Sequence, residues 1–189
     1  MSDGRATKEV SIPARQTVTI SDLAAFLGSS SAASVVVDPL RGELAVTTRA
    51  ATTTSSGAIG TAMPLVPSRN GLRLGQTQIF GGLEDSAASR TDYGFVETSG
   101  AGATIRATLL LSDARSLFTA FVSRDFAVGA NGFVFVSELV RSVIGSARAQ
   151  YGDLHNLQLQ LEVTEGGGAI LPFVVMNDTA SRDTDLRID

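Results

Sequence analysis

Residues 157–163 read Leu-Gln-Leu-Gln-Leu-Glu-Val. Leu157, Leu159, Leu161 and Val163 share one face, and Gln158, Gln160 and Glu162 share the other. Successive side chains of a strand point to opposite faces, so this stretch predicts a half-buried antiparallel β-strand. Glu165 and three glycines follow, then the apolar run Ala169–Met176. Strand, glycine turn and strand predict a hairpin. Pro172 lacks an N–H for the ladder and marks the return strand as an edge or a bulge.

Working outward, the same alternation recurs at Val10–Ile20 and Phe133–Val136, and further strands are expected at Thr91–Thr98 and Ala103–Leu111. Short helices are expected over 21–27 and 137–144. Each has a Ser at its cap (Ser21, Ser137), an early acid, and a nearby glycine, Gly28 or Gly145. The segment 12–28 aligns with 128–145 at an offset of 116, which sets Ile12, Val18, Ile20 and Leu23 against Val128, Val134, Val136 and Leu139. Both copies run into an expected hairpin, at 33–50 and 157–178. The pattern is an internal repeat of strand, turn, strand, capped helix and hairpin. It divides the chain into a unit over 1–80 and a unit over 81–189. Only the second has the strands 91–98 and 103–111 before it. The first is therefore expected to be incomplete, with its missing strands supplied by a longer array or another chain.

Composition narrows the function classes. The chain has 189 residues, 43% of them hydrophobic, which is enough apolar matter for a core. Its net charge is −4 and its basic residues are scattered, which argues against nucleic acid as a partner. No run approaches the ~20 apolar residues of a membrane span, so membrane insertion is not expected. Cysteine is absent, which removes disulfides and thiol chemistry. The opening MSDGRATKEV is polar and is no signal peptide, so a secreted location implies a mature or excised piece.

Candidate chemistry is sparse. His155, the single histidine, lies near Asp153, but no G-x-S-x-G elbow supplies a nucleophile. Glu84, Asp85 and Asp92 are weak metal candidates, because their spacing lacks the alternating acids of a calcium loop. The acidic tail, with Asp178, Asp183, Asp185 and Asp189, is read the same way. Gly100-Ala101-Gly102 and Gly166-Gly167-Gly168 are turns, since neither has the residues of a phosphate loop. The stretch 117–122, with Phe118 and Phe121, is read as core packing with its secondary structure left open. No cofactor and no catalytic residue are expected.

Residues 83–100, LEDSAASRTDYGFVETSG, resemble the phrase G-L-x-E-D-x-x-F-R-T-N-x-G-F-V-N-x-S. That phrase opens tandem immunoglobulin-like β-sandwich modules in large secreted and cell-surface bacterial proteins. ATIRATLLLSD (103–113), VSIPARQTVTISDLAAFLG (10–28) and GELAVTTRAATTTSSGAIGTAMPLVP (42–67) resemble further strands of such modules. Ser89 departs from the usual aromatic, and Asp92 and Glu97 from the usual Asn, so the resemblance assigns no hydrogen-bond role to those acids.

The resemblance implies an all-β protein of antiparallel, immunoglobulin-like sandwich units in tandem. It implies an extracellular or cell-surface location and a non-catalytic spacer, adhesion or filament-type role. Neighbouring units or copies of the chain are the expected partners, with homo-oligomers formed by strand complementation. A glycan- or peptide-binding module and a hydrolase accessory domain are the alternatives. Gly81–Asp92 is read as a bend between units in which Glu84 or Asp85 pairs with Arg90. Tyr93, Phe95 or Val96 then enters the core. Arg90, Leu157, Leu159, Leu161 and Val163 are the expected structural residues.

Overall fold

The computed structural model describes residues 6–28, 34–54, 57–113, 118–179, 181 and 184–188. Asp183, Asp189 and Leu117 lie outside them. The chain divides into two compact units, Met1–Asp38 and Pro39–Asp189.

Among the described residues of the first unit the one regular element is α1 (Leu23–Leu27). Its cap is Asp22 rather than Ser21: the Asp22 carboxylate accepts from the Ala25 N–H at 2.8 Å. The strand expected over Val10–Ile20 does not form. Among the described residues, 6–28 and 34–47 contain no strand, and Val10, Ile12, Val18, Ile20 and Val35–Val37 are exposed.

The second unit begins with a two-stranded sheet, β1 (Thr48–Thr54) against β2 (Gly57–Met63). The early hairpin thus lies downstream of the expected 33–50. Eight strands follow: β3 (Thr77–Asp85), β4 (Ser89–Glu97), β5 (Ala103–Asp113), β6 (Phe118–Val128), β7 (Phe133–Val136), β8 (Leu154–Gly166), β9 (Ile170–Asp178) and β10 (Thr184–Arg187). They build two antiparallel sheets, ordered β10-β9-β4-β7 and β3-β8-β5-β6, which pack as a sandwich. The helix α2 (Leu139–Ile144) and a 3₁₀ turn (Gly145–Gln150) connect β7 to β8. β3 crosses position 80 and edges the second sheet.

The alternating residues of 157–163 fill the core. Leu157, Leu159, Leu161 and Val163 of β8 are buried, as are Ile105, Ala107 and Leu109 of β5. Tyr93 and Phe95 of β4 face them, edge-on to each other at 5.5 Å between ring centroids, and meet Phe126 at 5.8 Å (edge-on) and 5.6 Å (tilted). Val96 points to the opposite face and is half-buried. Leu139 and Val140 of α2 close one end.

β8 and β9 are not a hairpin. β8 pairs with β3 and β5, whereas β9 pairs with β4 and β10. The glycine turn lifts the chain from one sheet to the other, because both runs carry an apolar face and bury it against each other across the sandwich. Pro172 pairs with Phe95 on the β4 side, while β10 reaches only Val174–Asn177, so the missing N–H faces an unpaired stretch. Gly81–Asp92 is likewise a bend between the two sheets of one sandwich: β3, a turn over 86–88, then β4.

Of the expected repeat, a turn and a helix start recur in both copies among the described residues, whereas the strands before the helix do not form in the first. The Gln16 N–H donates to the Pro13 carbonyl at 3.1 Å, and the Gly132 N–H donates to the Gly129 carbonyl at 2.8 Å. Each turn holds a non-glycine residue at positive φ, Arg15 at 63° and Asn131 at 54°. The helices then start at Leu23 and Leu139. All these pairs keep the same offset of 116.

Candidate functional site

β4 carries two buried acids, Asp92 in its first half and Glu97 at its end. Glu97 lies on the face of Tyr93 and Phe95 and is 3% exposed. Its carboxylate accepts from the backbone N–H groups of Ser99 (2.7 Å), Gly100 (2.8 Å), Asn131 (2.7 Å) and Ala169 (3.2 Å), and from the Ser99 hydroxyl. Burial alone would raise its pKa. The Ser99 hydroxyl and the N–H groups of Asn131, Ser99 and Ala169 outweigh burial and lower the pKa to about 2. One side chain thus ties three turns at that end of the sandwich. Asp92 is 2% exposed. It accepts from the Glu138 N–H (2.8 Å), the Asn177 amide (3.0 Å) and the Arg90 guanidinium (2.9 Å). Arg90 therefore pairs with Asp92 and not with Glu84 or Asp85, because positions 90 and 92 share a face of β4.

A charged depression of about 340 Å³ opens beside this bend, lined by Asp85, Ser86, Arg90, Glu138, Arg141, Arg148 and Thr179. Its cations are paired: Arg148 with Asp85 (2.8 Å), Arg141 with Glu138 (3.3 Å) and Arg90 with Asp92. Arg148 also donates to the carbonyls of Asp85, Tyr151 and Gly152, which pins the 3₁₀ turn against the end of β3. The Ser86 hydroxyl accepts from the N–H groups of Ala88 and Ser89 and so shapes the turn. The arrangement binds its own elements together, and Ser86 has no adjacent base among these contacts.

The metal candidates are spread over separate partners. Glu84 faces His155 Nδ1 at 3.5 Å, Asp85 holds Arg148, and Asp92 is enclosed as described. Asp153 accepts from the Ala87 N–H at 3.1 Å. Among the described residues no three His, Asp or Glu side chains gather as metal ligands. Buried Tyr93 reaches the Ser142 hydroxyl at 3.0 Å; burial raises its pKa, with Ser142 and Arg124 acting in the opposite direction.

No family model, curated protein or solved structure matches this chain. Among the described residues no helix is long and apolar enough to cross a membrane.

The outer faces of the two sheets differ. On the β5–β6 side, Arg106 pairs with Asp125 (2.8 Å) and Thr108 with Ser123 (2.8 Å), a polar ladder suited to water. On the β4–β7–β9 side, Phe173 stacks against Phe133 and Phe135, with centroids 6.0 and 6.3 Å apart, and Phe135 is 46% exposed. Gly94 of β4 makes room for that stack: a Cβ there would overlap the Phe173 ring and the Val134 carbonyl. Sequence reasoning missed the roles of Glu97 and Asp92, though the period-two pattern held one signal. Glu97 shares a face with Tyr93 and Phe95, and an acid on a core face must find donors. Arg148 gave no comparable signal.

Proposed function

We propose that this chain is a non-catalytic structural module of immunoglobulin-like β-sandwich units in tandem. It acts as a spacer, adhesion or assembly unit at the cell surface or outside it. The observation that carries the reading is a turn followed by a short helix that recurs at the same offset, with turns at 13–16 and 129–132 and helices that start at Leu23 and Leu139. Repetition of a supersecondary unit is the mark of a modular scaffold. The polar side chains support it too: Glu97, Asp92 and Arg148 tie strand ends and turns of one sandwich. The likeness of residues 83–113 to modules of secreted bacterial proteins points the same way.

The reading is tested by labelling intact and permeabilised source cells with an antibody to this chain, and by assaying the purified chain against ester, glycoside and peptide substrates. Equal labelling of intact cells and turnover at the buffer rate are expected. Turnover abolished by a single substitution, or labelling only after permeabilisation, overturns it.

A further inference from the structure

We propose that residues 16–20 of one chain add as a strand to the free edge of β7 in a second copy, so that copies join head to tail. The proposal rests on the assembly reading above and names its contact.

Residues 16–20, Gln-Thr-Val-Thr-Ile, contain no charge and alternate in polarity. They follow the same turn and precede the same helix as β7 does. Val134 and Val136 of β7 are packed against the core, whereas Val18 and Ile20 remain exposed. The segment thus has the pattern of a sheet strand without a sheet.

The acceptor is distinguished by what it lacks. Open sheet edges are normally protected by charge, bulges or cover. β10 carries Asp185 and Arg187, and β6 carries Arg124 and Asp125. β3 carries Glu84 and Asp85 and two register shifts. β7 is Phe-Val-Phe-Val, four residues at the edge beyond β4 that carry no charge and no register shift.

A strand added there gains backbone hydrogen bonds and side-chain packing together. Antiparallel, with Val18 opposite Val134, it sets Val18 and Ile20 on the core side and Thr17 and Thr19 beside the exposed Phe135. The same register brings Arg15 alongside Ser137 and Glu138, opposite charges at the end of the contact. Among the described residues the donor segment and the acceptor edge both lie on one chain, so a second copy supplies the two halves of the contact. A donor and acceptor at different sites make a heterologous contact that propagates rather than closing as a two-fold dimer.

The test uses the full chain and two variants in sedimentation velocity across a wide concentration range. Val18→Asp/Ile20→Asp removes the donor, and Phe135→Lys removes the acceptor. The wild-type mass is expected to rise with concentration, and each variant alone is expected to stay monomeric. An equimolar mixture of the two should give a species of twice the monomer mass and nothing larger, because one intact donor meets one intact acceptor. A mixture that stays monomeric overturns the contact. Association retained by both single variants also overturns it while leaving assembly standing. A wild-type chain that is monomeric throughout overturns both. If Phe135→Lys does not fold, a synthetic peptide of residues 13–22 is added to the wild type instead. It should dissolve the oligomers, and the Val18→Pro peptide should not; equal behaviour of the two peptides overturns the contact.

Discussion

Glu97 holds the backbone N–H groups of Ser99, Gly100, Asn131 and Ala169, and its chemistry sets a pH dependence. Its folded pKa of about 2 lies below the ordinary 4.5. The stabilisation is therefore full above about pH 4.5 and is lost as pH falls through 2, and a shift of that size corresponds to about 3 kcal/mol. Glu97→Gln retains the shape but turns an NH2 toward N–H donors. We expect it to cost ~2–4 kcal/mol at neutral pH. Its stability should also vary less with pH between 4.5 and 2 than that of the wild type, read by urea unfolding at several pH values. The apolar positions rank above the exposed ion pairs. Leu161→Ala empties a fully buried site and should cost ~2–5 kcal/mol. Arg90 is half-exposed, and Asp92 keeps two other donors without it, so Arg90→Ala should cost less. A larger shift in urea midpoint for Arg90→Ala would reverse this ranking. The leucines were legible at this scale because a two-residue period needs only neighbours. The donors to Glu97 were not, since Asn131 and Ala169 lie 34 and 72 residues away in sequence.

At the scale of elements, alternation identified strands but not their partners. β8 and β9 look adjacent in sequence and are joined by three glycines, yet they lie in opposite sheets. A glycine turn permits either a ladder or an arch. The choice falls to the core, where Leu159 of β8 and Val174 of β9 are both enclosed. Gly94 shows the same dependence on context. In the sequence it is a weak spot in a strand; in the fold it is the floor under the Phe173 ring. Gly94→Ala should cost ~1–3 kcal/mol by overpacking. Phe173→Ala added to it should not restore stability, because the Val134 carbonyl still meets the new methyl. A double-mutant cycle in urea reads both terms. Full rescue would assign the clash to the ring alone.

Across the whole molecule, apolar burial is concentrated in the sandwich. The large side chains of residues 6–38 remain mostly in water, with Val36 77% exposed. We expect that deleting residues 1–38 changes the unfolding free energy of the remainder by only about 1 kcal/mol. The same deletion should abolish concentration-dependent association in sedimentation. Loss of cooperative unfolding on deletion would show that this segment belongs to the core. The amino-acid sequence by itself determined the β character, the faces of the core strands and the positions of the two helical turns. These follow from period and local pattern, which need only neighbours in the chain, although the helix caps fall on Asp22 and Glu138 and not on Ser21 and Ser137. Only the tertiary structure decided which strands share a sheet, that the Gly166–Gly168 turn is an arch, and that residues 10–20 stay outside any sheet among the described residues. It also decided that Asp92 and Glu97 are enclosed by donors. Sheet partnership and the enclosure of a carboxylate depend on groups that the chain brings together only when its apolar faces close, and no local pattern encodes which groups those are.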